Sequence, residues 1–280
     1  MNINLAISQG SKILRKKFIP NSQLDSEILM SKTINKDRKY VLLNSKNFLN
    51  KNDLNNFYNL IEKRSLGNPV AYLTNKKFFW NSEFIVTKDT LIPRPDTEII
   101  VENILKLTNL KNQLNILDIG VGSGCILLSI LKERKNFYGT GIDISKKAIK
   151  VAIFNAKMHQ LSNRVDFYHS DVDKFLFGKY DLIISNPPYI KKMDLKYLDK
   201  DIKAYEPTQA LDGGKCGFSK IEKVVNKAST LIKKNGKFVL EIGFDQKNKT
   251  LGILKNNGFF INKVVKDYGK NDRCIICTKL

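Results

Sequence analysis

From residue 113 onward, short apolar runs alternate with stretches of helical period, and this alternation restricts the fold more than any other feature. The runs are Asn115-Ile116-Leu117-Asp118, Tyr138 to Asp143, Val165 to Tyr168, and Asp181-Leu182-Ile183-Ile184-Ser185. Strands separated by helical crossovers pair in parallel, so the pattern predicts a doubly wound α/β sheet. The end of the chain departs from it. After Lys237 to Ile242, the strand-like segments Phe259 to Val265 and Cys274 to Thr278 leave no room between them for a helical crossover, and an antiparallel hairpin is expected to close the sheet.

The segment before residue 76 is different in kind. Asn21 and Ser22 can cap a helix carrying Leu24, Ile28 and Leu29; Asn52 or Asp53 can open another through Leu54, Phe57, Leu60 and Ile61, stopped by Gly67 and Pro69. Residues 1–18 are basic and free of acids, with Ile3, Ile7, Leu14 and Phe18 loosely on one face, as in a folded helix with its basic side in water or an organelle presequence. Residues 1–75 are therefore expected to form a helical domain. Phe78-Phe79-Trp80, the Asn81-Ser82 turn signal and Phe84-Ile85-Val86 predict a hairpin linker over 76–95, and residues 96–280 form the α/β domain, opening with a helix from Asp96 to Leu107.

Between the first strand and a helix beginning near Ser123 lies Asp118-Ile119-Gly120-Val121-Gly122-Ser123-Gly124. Such loops are where open α/β sheets bind ligands, and glycine allows close backbone approach and positive φ. A dinucleotide fits poorly, because its fingerprint requires glycine where Cys125 stands. An acidic residue entering the loop favours a positively charged guest, such as the amine and sulfonium of S-adenosylmethionine, and Asp143 at the end of the next strand can accept from ribose hydroxyls.

Asn186-Pro187-Pro188-Tyr189 follows the strand that ends at Ser185. Two consecutive prolines fix φ and remove two backbone donors, which leaves nearby carbonyls as outward-facing acceptors. Asn186 adds a side-chain carbonyl, so a planar –NH2 group could bond to Asn186 and Pro187 together, with Tyr189 as a stacking face. A glutamine carboxamide and the exocyclic amine of adenine both present such a group, and the tetrapeptide does not distinguish them. The two histidines, His159 and His169, lie away from the motif and read as structural or surface residues.

Composition narrows the class further. Four cysteines suit a reducing cytosol rather than a disulfide framework, and Cys274 and Cys277, three apart in a strand, face opposite sides and cannot share a metal. No run reaches the ~18 apolar residues of a membrane span. Net charge is +21, from 48 Lys and Arg against 27 Asp and Glu, but the lysines are spread along the whole chain. That distribution allows weak non-specific nucleic-acid or ribosome contact without a dedicated face. The expectation is a cytoplasmic monomer with no metal.

Motifs along nearly the whole length resemble those of the release-factor glutamine N5-methyltransferases, the HemK/PrmC-like family. They are Gly67-Asn-Pro-Val-Ala-Tyr72, Leu91-Ile-Pro-Arg-Pro-Asp-Thr-Glu98, Ile116 to Gly124, Asp143-Ile-Ser145, Ser185 to Ile190, Tyr205-Glu-Pro207, Ala210-Leu-Asp-Gly-Gly214 and Leu240-Glu-Ile-Gly243. The resemblance implies a helical domain that recruits a peptide chain release factor and a seven-stranded, Rossmann-like methyltransferase domain. It implies that Asp118, Gly120 to Gly124, Asp143, Asp171, Val172 and Asn186 bind S-adenosylmethionine, and that Asn186 to Tyr189 hold the glutamine of a Gly-Gly-Gln loop. A relative acting on a ribosomal-protein glutamine shares the tetrapeptide, but the Ile92 to Glu98 segment looks like the release-factor branch. Lys215-Cys216 departs from the family's acidic residue before the next glycine, so that loop is assigned no binding role.

Overall fold

The computed structural model describes residues 1–111 and 113–280, which divide into two compact units. The first comprises Met1–Lys76 together with Asp199–Tyr205. Its helices are α1 (Ile3–Lys16), α2 (Ser22–Ile34), α3 (Arg38–Leu43), α4 (Lys51–Ser65) and α5 (Val70–Thr74). Asn2 caps α1 by accepting from the Leu5 N–H at 2.8 Å, and Ile3, Ile7 and Leu14 are buried, whereas Phe18 lies beyond the helix at φ 58° and 91% exposed. The apolar stripe therefore ends at Leu14. The cap of α4 is Asn50 rather than Asn52 or Asp53; it accepts from the Asp53 N–H and donates to the Asp53 carboxylate, both at 2.8 Å. Asn21 precedes α2 without a side-chain capping bond.

Gly10 lets α1 pack closely on α4, since a Cβ there would lie 2.9 Å from both Ile61 and Phe57. The segment Asp199–Tyr205 is held by Arg64, which bridges Asp25 at 2.7 Å and Asp201 at 2.8 Å, and by Tyr205, whose hydroxyl donates to the Leu66 carbonyl. This return of the chain into the helical unit is not visible in the hydrophobic pattern, because it rests on polar contacts.

The second unit comprises Lys77–Leu198 and Glu206–Leu280. A hairpin of β1 (Lys76–Phe79) and β2 (Ser82–Ile85) precedes α6 (Glu98–Leu107); the turn falls at Trp80, φ 53°, one residue before the expected Asn81-Ser82 pair. Phe79 and Phe84 are buried in the core of this unit. There follow β3 (Asn115–Ile119), α7 (Cys125–Glu133), β4 (Tyr138–Asp143), α8 (Lys146–Met158), β5 (Val165–His169), β6 (Tyr180–Ser185), α9 (Lys200–Tyr205, in the first unit), α10 (Ser219–Leu231), β7 (Ile232–Glu241), α11 (Lys247–Asn256), β8 (Phe259–Lys266) and β9 (Asp272–Lys279).

Seven strands form one sheet in the order β5-β4-β3-β6-β7-β9-β8, parallel from β5 to β7 and antiparallel at β9 and β8. Alternate residues serve opposite faces. Ile116, Leu182, Ile184, Val239 and Ile276 enter one buried cluster, while Leu117, Ile183, Phe238, Leu240 and Ile275 enter the other. Each such side chain contributes about 1.5–3 kcal/mol by leaving water, so a one-residue slip would be costly. Cys274 and Cys277 divide between the same two clusters, as their spacing in a strand requires. Among the described residues no helix is long and apolar enough to cross a membrane.

Arg64→Ala is expected to destabilise the helical unit by about 3 kcal/mol, because it leaves Asp25 buried without its cation. A lowered urea midpoint checks this, and an unchanged midpoint would contradict it.

Candidate active site

Ile119 of β3 pairs with Ser185 of β6, and the Ser185 hydroxyl donates to the Ile119 carbonyl at 2.7 Å. Both chains leave the sheet at the next residue, so Gly120 and Asn186 emerge side by side at its carboxyl edge. β3 has β4 on one side and β6 on the other. That reversal of strand order opens a crevice in doubly wound sheets, and a cavity of about 340 Å³ lies here, wholly within the second unit.

The glycine loop forms one wall. Gly120 and Val121 donate to the Ile142 carbonyl, each at 2.9 Å, and Gly122 donates to Asp143 Oδ2 at 2.9 Å. Gly120 and Gly122 adopt φ of 80° and 56°, and a Cβ on either would meet no protein atom within 4 Å. Backbone is thus bared to empty space that a ligand can fill. Gly124 serves packing instead. At φ 81° it faces Leu128 of α7 and Ala152 of α8, where a Cβ would be 3.0 Å and 3.5 Å away, and it is not on the cavity wall.

Val121, Ser123, Asp143, Asp171 and Val172 line the cavity. Asp143 also accepts from Ser145 N–H at 2.8 Å, and its carboxylate keeps acceptor capacity for a guest. Burial raises its pKa, while the Ser145 and Gly122 N–H groups oppose the rise. Asp171 accepts from Asp173 N–H at 2.9 Å.

Asp118 does not line the cavity. It is 1% exposed beneath the loop, neither oxygen has a well-formed hydrogen bond, and the Leu127 N–H offers only a weak contact. Burial, reinforced by the charge of Asp143, pushes it up to about 8. Burial thus favours its neutral form, and the direct pairing with a cationic guest that its position in the sequence suggests is not what its placement provides.

In the tetrapeptide, Asn186, Pro187 and Pro188 line the cavity. Asn186 Nδ2 donates to the Thr97 hydroxyl at 3.2 Å, which turns Oδ1 away from Thr97. No donor among the described residues reaches that oxygen or the Pro187 carbonyl. Tyr189 is not on the wall: its ring packs against the buried cluster and its hydroxyl points to Glu241 Oε1 at 3.4 Å, with Arg273 at 3.5 Å. The stacking face expected of Tyr189 is spent on the protein interior, because the hydroxyl finds its partners there.

Sequence reasoning missed the residues that hold this wall in place. Glu206 bonds Arg94 at 2.5 Å, joining two separated motifs, and Asn155 holds both the Ile85 backbone and the Ser123 carbonyl at 2.8–2.9 Å. Around Lys215-Cys216 the glycines are what matter: a Cβ at Gly213 would lie 2.8 Å from the Tyr189 backbone, and at Gly217 2.7 Å from the Tyr189 carbonyl. Gln246 donates to both the Tyr189 and Gly217 carbonyls. Only the clustering of motifs hinted at these roles. His159 and His169 bond backbone carbonyls of Glu83 and Ile144 and do not line the cavity.

A carboxyl group whose pKa is higher folded than unfolded contributes stability at acid pH that is lost as pH rises through the folded value. Between its ordinary value of 3.8 and about 8, Asp118 therefore makes the protein progressively less stable. Asp118→Asn is expected to raise the melting temperature at pH 8 by several degrees, roughly 2–4 °C per kcal/mol removed, with the gain vanishing near pH 4. A gain independent of pH would refute this.

A family model described as the methyltransferase small domain matches residues 95–202, and one described as the PrmC N-terminal domain matches residues 6–74. A release factor glutamine methyltransferase from Buchnera aphidicola subsp. Schizaphis graminum is 39% identical over 273 residues, covering 98% of each chain. One from Clostridium acetobutylicum is 34% identical over 282 residues, covering 100% of this chain and 99% of that one. One from Buchnera aphidicola subsp. Acyrthosiphon pisum is 35% identical, covering 100% and 99%. With full-length relatives at this identity and both domains matched, the chain belongs to the release factor glutamine methyltransferase family.

Proposed function

We propose that this protein transfers a methyl group from S-adenosylmethionine to the N5 side-chain amide nitrogen of a glutamine, the one in the Gly-Gly-Gln motif of a class 1 peptide chain release factor. One observation carries the proposal: the Asn186 Oδ1 and the Pro187 carbonyl are two unengaged acceptors on the wall of the cavity that the glycine loop also lines. The names of the full-length relatives support the substrate.

The residues present fit the cofactor. Gly120 and Gly122 offer backbone with open space above it, and Asp143, Asp171 and Val172 surround the same space, with lone pairs on Asp143 for hydroxyl donors. Bound there, S-adenosylmethionine supplies an electrophilic methyl group on a sulfonium.

What the chain itself must do is make a poor nucleophile attack. An amide nitrogen has its lone pair delocalised into the carbonyl. Asn186 Oδ1 and the Pro187 carbonyl can each accept one of its two hydrogens, which favours a pyramidal nitrogen and concentrates the lone pair away from them. These bonds strengthen as positive charge develops on the nitrogen, so they are worth most in the transition state. Holding the reactants in place can contribute roughly 7–11 kcal/mol. A strong base is not required, because the proton becomes acidic once the nitrogen is methylated, and water can take it. The helical unit is the natural candidate for docking the release factor, as the match to the PrmC N-terminal domain suggests.

The test is to incubate the protein with labelled methyl donor and either a bacterial release factor or bulk DNA. Label is expected on the release factor and absent when the glutamine of its Gly-Gly-Gln motif is replaced; label on DNA alone would overturn the proposal. Asn186→Ala should hold cofactor affinity within about tenfold while kcat falls about 10²–10³-fold, the usual cost of losing one oriented hydrogen-bonding group.

A further inference from the structure

Two motifs of the sequence, Ala210 to Gly214 and Leu240 to Gly243, take no part in the chemistry above, yet both end against the tetrapeptide. A Cβ at Gly213 would lie 2.8 Å from the Tyr189 backbone, and one at Gly243 would lie 3.3 Å from the Tyr189 ring. Gln246 joins these segments; it is 2% exposed and lies off the cavity wall. Its Oε1 accepts from the Gly243 N–H at 2.9 Å, and its Nε2 donates to the Tyr189 carbonyl at 3.1 Å and to the Gly217 carbonyl at 3.0 Å. Gln246 stands at the start of α11, but its side chain makes no capping bond to that helix. The amide serves the three loops instead.

Its orientation is fixed by its partners. A backbone N–H at one end and two carbonyls at the other admit one placement of the amide oxygen and nitrogen. Both hydrogens of Nε2 are thereby used, one on the tetrapeptide and one on the loop that reaches Gly217. That loop comes so near only because Gly217 has no side chain: at φ 78° a Cβ would be 2.7 Å from the Tyr189 carbonyl oxygen and 2.9 Å from Nε2.

Such a clamp matters because Pro187 and Pro188 cannot anchor themselves. Neither has an N–H to donate and each ring fixes φ, so the direction of the Pro187 carbonyl is left to the ψ torsions and to where the chain is held on either side. Upstream the hold is the rung between Ile119 and Ser185. Downstream the peptide between Tyr189 and Ile190 is gripped at both ends, its N–H donating to the Leu211 carbonyl at 3.2 Å and its carbonyl accepting from Gln246. We propose that Gln246 is a positioning residue: by fastening the Tyr189 carbonyl it sets the direction in which the Pro187 carbonyl meets the substrate nitrogen, a role that rests on the acceptor reading of that carbonyl above. Without Gln246 two buried carbonyls lose their donor, and the peptide must shift to find another. The Pro187 carbonyl then loses its aim, while the glycine loop and Asp143 that face the cofactor are untouched.

The experiment is methylation of a release factor by the full-length protein and by Gln246→Met, Gln246→Glu and Leu254→Val, with kcat per cofactor-binding site, KM, cofactor affinity by calorimetry and melting temperature measured for each. Gln246→Met fills the space without the hydrogen bonds. Gln246→Glu keeps the shape and the bond from Gly243 but turns an oxygen towards the two carbonyls. Both should lose about 10–10²-fold in kcat, the cost of a small misplacement at the reacting centre, with KM and cofactor affinity little changed. Leu254→Val, which thins the core under α11, should lower the melting temperature yet keep wild-type kcat. Wild-type kcat in either Gln246 variant, or a loss in Leu254→Val that matches theirs, overturns the proposal, and Gln246→Glu decides the matter if Gln246→Met fails to fold. If Asn186→Ala in the same assay retains wild-type kcat, the acceptor reading itself has failed, a result distinct from failure of the clamp.

Discussion

Because Ile119 and Ser185 are paired across β3 and β6, with the Ser185 hydroxyl fastening the final rung, the glycine loop and the tetrapeptide leave the sheet together. The arrangement of the candidate site follows from that register. A slip of one residue would turn Asn186 to the wrong face and force Ile183 into the cluster that Leu182 and Ile184 fill. The two buried clusters forbid it, since both faces of these strands are apolar and fully covered. The hydrophobic core therefore does more than stabilise the domain: it sets the distance between the two halves of the site.

Around that meeting point the protein keeps several ionisable groups out of water. Glu206 is engaged by Arg94 and the Ile92 N–H, and Arg273 is held by Asp267, while Asp118 and Glu241 lack full partners. Folding alone would favour apolar residues at such places. The proposed function supplies the opposite need, because the Thr97 hydroxyl behind the Asn186 amide restrains an acceptor that has to keep one direction.

Much of the fold was legible along the chain. The strands from Asn115 to Ser185 stand out because they are apolar runs between helices, and the closing hairpin because no helix fits between Phe259–Lys266 and Asp272–Lys279. The loop glycines stood out because positive φ admits few residue types, and Asn186 because it precedes two consecutive prolines. Other assignments depended on which way a side chain turns. Asp118 enters the loop in sequence yet lies under it, Gly124 packs helices instead of facing the cavity, and the Tyr189 ring turns inward. Thr97 and Glu241 fell within motifs but carried no assigned role, and Asn155 could not be picked out, because one asparagine in a helix-like segment looks like any other until its partner, dozens of residues away, is known. The same holds for the return of Asp199–Tyr205 to the helical unit, which depends on Arg64 and Tyr205.

Residue order was enough to specify the succession of strands and helices, the closing antiparallel pair, the glycine loop, the doubly proline-locked tetrapeptide and the family. These are matters of local period and backbone permission, which neighbouring residues settle among themselves. Folding in three dimensions was needed to determine which groups face the cavity, which acidic groups burial pushes toward the neutral form, and what the Asn186 amide bonds to. Those properties belong to pairs of residues far apart in the chain, and they depend on burial, which exists only once the sheet has brought its strands together.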